Sequence, residues 1–134
     1  MKLLIFISSF LISSVVYSAN EVDWLKGHNP NEYFPRNAEY IKYPELCNER
    51  TCFNIVAVSY VTTTNKGMRR VAVFSNAGEY LGVYSGFQEM PLKVIGSELI
   101  FHESEFGNTI NFSGKQPPIT AHIDGENFAF ESKP

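Results

Sequence analysis

The chain has 134 residues, with 11 basic against 14 acidic side chains, and 44% of it is apolar. The acidic balance excludes the basic footprint of a nucleic-acid binder. Seven prolines and nine glycines are too near average usage for disorder throughout, and a single leading apolar run excludes a polytopic membrane protein.

That run follows Met1-Lys2 and is uncharged from Leu3 to Val16. A short basic start, an apolar run and small residues before Ala19 mark residues 1–18 as a cleaved signal peptide. The run is too short and too serine-rich for a membrane span. Its removal leaves about 115 residues, enough for one domain. The 14 acidic residues stay and Lys2 goes from the 11 basic ones, so the mature chain has four negative charges in excess. No cysteine sits immediately after the cleavage site, so a lipid anchor of the bacterial lipoprotein type is not indicated. The expectation is a periplasmic or secreted protein with no membrane span after cleavage.

Residues 19–46 read as an arm packed on the main domain. Asn20 caps at most one short helical turn over residues 21–26, which Gly27 and Asn29-Pro30-Asn31 end. Pro30, Pro35 and Pro44 then forbid long regular structure. Trp24, Tyr33, Phe34, Tyr40 and Tyr43 make the arm too aromatic for a free tail. Trp24, Tyr33 and Phe34 either cover the domain or face a partner, where aromatic anchors are enriched.

Cys47 and Cys52 are the only cysteines. In an oxidising compartment an even, close pair reads as a disulfide. A thioredoxin-like redox pair has two intervening residues and this pair has four. A zinc site requires further ligands that do not cluster here.

From residue 47 onward the signal is β. Residues 53–61 are rich in β-branched and aromatic side chains of both parities, so both faces of that strand are expected to be covered. Asn65-Lys66-Gly67 and Asn76-Ala77-Gly78 read as turns around a strand at 71–74, with glycine suited to positive φ. A further strand follows at 80–84. Gly82 inside it signals a bulge or a close backbone approach. Strands are also expected at 92–95 and 119–123, entered through Pro91 and Pro117-Pro118. The terminal strand 127–131 reads as an edge.

Glycines 67, 78, 96, 107 and 125 are spaced 11, 18, 11 and 18 residues apart. Four of them open a Gly-x-x-Φ-x-Φ motif, where Φ is apolar. This pattern fits either an internal 29-residue repeat or a plain antiparallel meander. The fold class is therefore all-β: an antiparallel barrel or sandwich of about seven strands over residues 47–134.

Catalytic motifs are scarce. There is no Gly-x-Ser-x-Gly motif, no phosphate-cradling loop and no dinucleotide fingerprint. The three histidines are His28, His102 and His122. An enzyme would use His102 or His122 with Asp124 or Glu103, within about 4 Å of each other in a cleft. A small-ligand barrel would line its interior with Phe74, Tyr84, Phe101, Phe112 and Phe130. Lys66, Arg69 and Arg70 form the only local basic patch, at a hairpin tip suited to an acidic cleft on a partner. Arg69 and Arg70 point to opposite faces of their strand. The leading expectation is an exported, non-catalytic interaction module, an inhibitor or immunity protein that binds another protein. It calls for no cofactor, no metal and no catalytic residue.

Overall fold

The computed structural model of the chain describes residues 34–35, 37–102 and 108–133, all in the compact unit Asn31–Pro134. The expected signal peptide, the expected helical turn at 21–26, Trp24, His28, Tyr33, Glu103 and Gly107 lie outside the described residues. These residues form ten strands and no helix: β1 Glu39–Lys42, β2 Leu46–Cys47, β3 Cys52–Val61, β4 Gly67–Ser75, β5 Tyr80–Ser85, β6 Lys93–Ile95, β7 Glu98–Ile100, β8 Thr109–Asn111, β9 Thr120–Ile123 and β10 Glu126–Ser132.

The strands make an antiparallel seven-stranded sheet and a second sheet of three. The large sheet runs β1-β3-β4-β5-β10-β9, with β2 also on β3, and the small one runs β6-β7-β8. β1 and the first residue of β2, Leu46, lie within residues expected to be an irregular arm. Pro35 and Pro44 do bound β1, but four residues between them suffice for a short edge strand beside Val56–Ser59. β2 pairs at the other end of the same edge of β3, opposite Cys52 and Phe53.

Alternation along β3 and β4 separates the two faces of the sheet. Phe53, Ile55 and Ala57 of β3 join Val71 and Val73 of β4 and Tyr84 of β5 in the core. Leu99, Phe101, Ile110 and Phe112 from the small-sheet region complete that core. Side chains of the opposite parity, Val56, Val58, Ala72 and Phe74, are buried as well, so both faces of β3 are covered. Phe74 therefore does not join the interior aromatics expected of it. It lies with Tyr80, on which Phe34 packs in turn.

Hydrogen bonds join the sheets on one side. Tyr43 Oη donates to the Pro91 carbonyl, and the Cys47 amide donates to the Gly96 carbonyl at 3.3 Å. On the other side β8 lies beside β9 without a ladder. The strands thus follow a barrel-like circuit that stays open at two seams.

Three further points concern the turns and edges. β10 is not an edge: its first half pairs with β9 and its second half with β5. Gly78, Gly96 and Gly125 take positive φ in the β4–β5, β6–β7 and β9–β10 turns, but at the β3–β4 turn Asn65 does so and Gly67 begins a strand. The hairpins around Gly96 and Gly125 are one residue out of step. Ile95 pairs with Glu98 across Gly96-Ser97, and Ile123 pairs with Glu126 across Asp124-Gly125.

Cys47 and Cys52 are disulfide-bonded. Asn48 fixes the ring they close. Its Oδ1 accepts from the amides of Arg50 and Thr51, and its Nδ2 donates to the carbonyls of Phe112 and Gly114. One side chain thereby uses its whole hydrogen-bonding capacity to tie the disulfide loop to the chain after β8.

Candidate functional site

Strand directions place the β3–β4 turn, the chain after β5, the end of β7 and the β9–β10 turn at one pole of the domain. The disulfide loop and the β6–β7 turn lie at the other. The first pole carries two features of interest, a projecting hairpin and a cleft.

The hairpin outruns its neighbours. β1 begins opposite Ser59, and β5 ends opposite Arg70. The pairs Tyr60–Met68 and Val61–Gly67 therefore extend past both flanking strands. The turn beyond them is braced internally. The Thr62 amide donates to the Lys66 carbonyl at 2.8 Å, the Asn65 amide to the Thr62 carbonyl at 3.0 Å, and the Lys66 amide to Thr62 Oγ1 at 3.1 Å. Lys66 is exposed at this tip, and Val61 beside it is 58% exposed.

The two arginines have different surroundings. Arg70 lays its guanidinium 5.6 Å over the Tyr60 ring, which stiffens the base of the hairpin. Its Nε is buried without a hydrogen-bond partner. The Arg69 carbonyl accepts from the amides of Gly86 and Phe87, which ties the hairpin base to the cleft floor. Phe34, the described member of the aromatic arm trio, is buried against Tyr40 and Tyr80.

The cleft has a volume of about 140 Å³ and is lined by residues from three places in the chain. Its floor is aromatic. Phe87 is sandwiched between Phe101 and Phe128, with ring centroids 4.7 and 4.5 Å away, and Ile123 adjoins them. Its rim is polar: Gln88, Glu89, His102, Asp124 and Glu126. His102 Nε2 lies 2.8 Å from Asp124 Oδ2 and 3.9 Å from Glu89 Oε2. Its Nδ1 lies 3.2 Å from the Asn108 amide nitrogen, which also donates to the His102 carbonyl. Both ring nitrogens are thus engaged. Asp124 and Gly125 form a two-residue turn with φ of 53° and 80°, the Asp-Gly pattern of a type I′ hairpin.

His102 and Asp124 meet the distance expected of an acid–base pair, whereas His122 stands apart, exposed and bonded through Nδ1 to Asn127 at 2.6 Å. Glu89 and the three phenylalanines were not singled out in the sequence as a cleft. They converge through β5, β7 and β10, and no local pattern links them. Near the disulfide, Glu45, Cys47 and Cys52 cluster closely, but both sulfurs are bonded to each other and offer no thiolate.

Comparison with family models, curated proteins and solved structures finds no match to the chain.

Proposed function

We propose that this protein is an exported, non-catalytic interaction module that binds another protein in the envelope or outside the cell, as an inhibitor or immunity protein does. The supporting observation is the β3–β4 hairpin, which carries an exposed Lys66 past its flanking strands on a self-braced turn. A pre-ordered tip loses little freedom on insertion, so more of its contact energy becomes affinity. An exposed cation at the tip suits an acidic cleft on the partner. Export is supported by the Cys47–Cys52 disulfide, a bond that persists in oxidising compartments. Among the described residues no helix is long and apolar enough to cross a membrane.

The test is capture. Immobilised chain from Ala19, with its disulfide formed, should retain one stoichiometric protein from envelope or culture-medium extracts. Lys66→Ala combined with Arg70→Ala should weaken that complex at least about tenfold. Unchanged affinity for every captured protein would sink the hairpin reading.

A second reading rests on the 2.8 Å contact between His102 and Asp124, which is acid–base geometry. It has less support, because Asn108 holds the other ring nitrogen and the described cleft residues offer no hydroxyl or thiol nucleophile. The small-ligand reading has less support too. Tyr84, Phe112, Leu99 and Ile110 fill the interior.

A further inference from the structure

The cleft next to the hairpin combines an aromatic floor with a rim that, among the described residues, carries no lysine or arginine. Three carboxylates, those of Glu89, Asp124 and Glu126, stand on that rim. Among the described residues, the partner of the Glu89 and Asp124 carboxylates is His102, and no lysine or arginine pairs with any of the three. His102 holds one Asp124 oxygen, and a carboxylate accepts at both. The floor is three phenylalanine rings, with Phe87 packed against both Phe101 and Phe128. At about 140 Å³ the space suits a group about the size of benzene.

We infer that this cleft is a subsite for an arginine side chain presented by a protein partner. A guanidinium is planar and gains cation–π attraction against a phenyl ring, here the part-exposed Phe128 of the cleft lining. It is also more weakly hydrated than an ammonium, which lowers the cost of leaving water for an aromatic floor. Its fork of donors matches carboxylates bidentately, and such charge-assisted bonds are the strong ones. The site lies at the same pole as Lys66 but shares no residue with the hairpin tip. The binding face then has two charges of opposite sign in fixed positions, and a matching partner carries an acid and an arginine.

The experiment is a titration of nitrogen-labelled protein from Ala19, followed by amide chemical shifts. The probes are N-acetyl-arginine amide and its neutral isostere N-acetyl-citrulline amide. The arginine compound should shift the Phe87, Glu89, His102 and Gly125 amides saturably, with a dissociation constant of about 1–10 mM. The citrulline compound should bind at least about tenfold more weakly. Glu89→Gln with Asp124→Asn should abolish the response, with Asn chosen because it tolerates positive φ. Lys66→Ala should leave it unchanged. Equal response to citrulline, persistence in the double variant, no saturable shift, or response only to Ca²⁺ or Zn²⁺ would each overturn the inference. The citrulline comparison uses the unaltered protein, so it decides the matter even where the double variant does not fold. No captured partner is involved, so failure here is distinct from failure of the hairpin reading.

Discussion

The ring of Phe130 lies across Gly82. A β-carbon added at Gly82 would stand 2.5 Å from Phe130 Cζ and in overlap with the Glu131 carbonyl oxygen. Glu131 and Phe130 pair with Val83 and Tyr84, so the obstacle is the β5–β10 ladder itself. A flexible side chain could swing aside, but a paired backbone carbonyl cannot. Gly82→Ala is expected to cost about 3 kcal/mol through overpacking and partial loss of the ladder. Urea unfolding of the variant measures it, and a cost within about 0.5 kcal/mol of zero, typical of surface changes, would contradict this geometry.

The disulfide and Asn48 hold the opposite pole together. Loop closure over so short a ring is worth roughly 2 kcal/mol. Reductant should therefore lower the unfolding free energy from urea titration by about 2 kcal/mol and leave the fold intact. Asn48→Ala should cost about 1–3 kcal/mol with the disulfide formed, because it strips part-buried carbonyls of their donor.

Tyr84 predicts an alkaline limit to stability. Its hydroxyl donates to the Pro118 carbonyl at 2.6 Å, and burial raises its pKa above the ordinary 10.0. A group raised on folding stabilises the protein fully below its unfolded pKa and loses that contribution as pH climbs above it. Stability should be flat up to about pH 10 on account of this group and fall beyond it. The Tyr84 phenolate should appear together with unfolding, and Tyr84→Phe should flatten the decline. Phenolate absorbance followed alongside circular dichroism distinguishes this from ionisation in the folded state.

Asp124 sits at φ 53°, where a β-carbon is disfavoured by roughly 1 kcal/mol. Asp124→Ala and Asp124→Gly both lose the bond to His102, but only the alanine pays for the backbone. The alanine variant should be less stable than the glycine variant by about 1 kcal/mol in thermal or chemical unfolding. Equal stability would mean that the turn relaxes away from the type I′ form.

Much of the fold was legible in the sequence, because β-branched and aromatic runs bounded by glycine turns have few other solutions. Residues 53–61 gave β3 almost to the residue, and Gly82 announced the close approach that Phe130 makes. A register shift between Val73 and Phe74 marks the bulge that accompanies it. β1 and β2 were missed because four and two residues among prolines carry no periodicity. Phe74 reads as an interior aromatic from its residue type, but its parity, opposite to that of Val73, places it on the other face of the sheet with Tyr80. The terminal strand looked like an edge because strand order is a long-range property. For the site, His102 and Asp124 could be named as a pair, since each is a chemically marked residue at a strand end. The floor of Phe87, Phe101 and Phe128 could not, because a phenylalanine gives no local sign of which neighbours it will stack on.

β10 joins two parts of the sheet that otherwise do not touch as a ladder: its first half completes β9, and its second half completes β5. In a chain emerging from its start, β3, β4 and β5 can zip together early through tight hairpins. β9 has no place in the large sheet until residues 126–132 arrive, and the Asp124-Gly125 turn that holds the cleft rim forms only with them. The cleft is therefore among the last parts of the molecule to exist, and a chain stalled before β10 would present the hairpin without it.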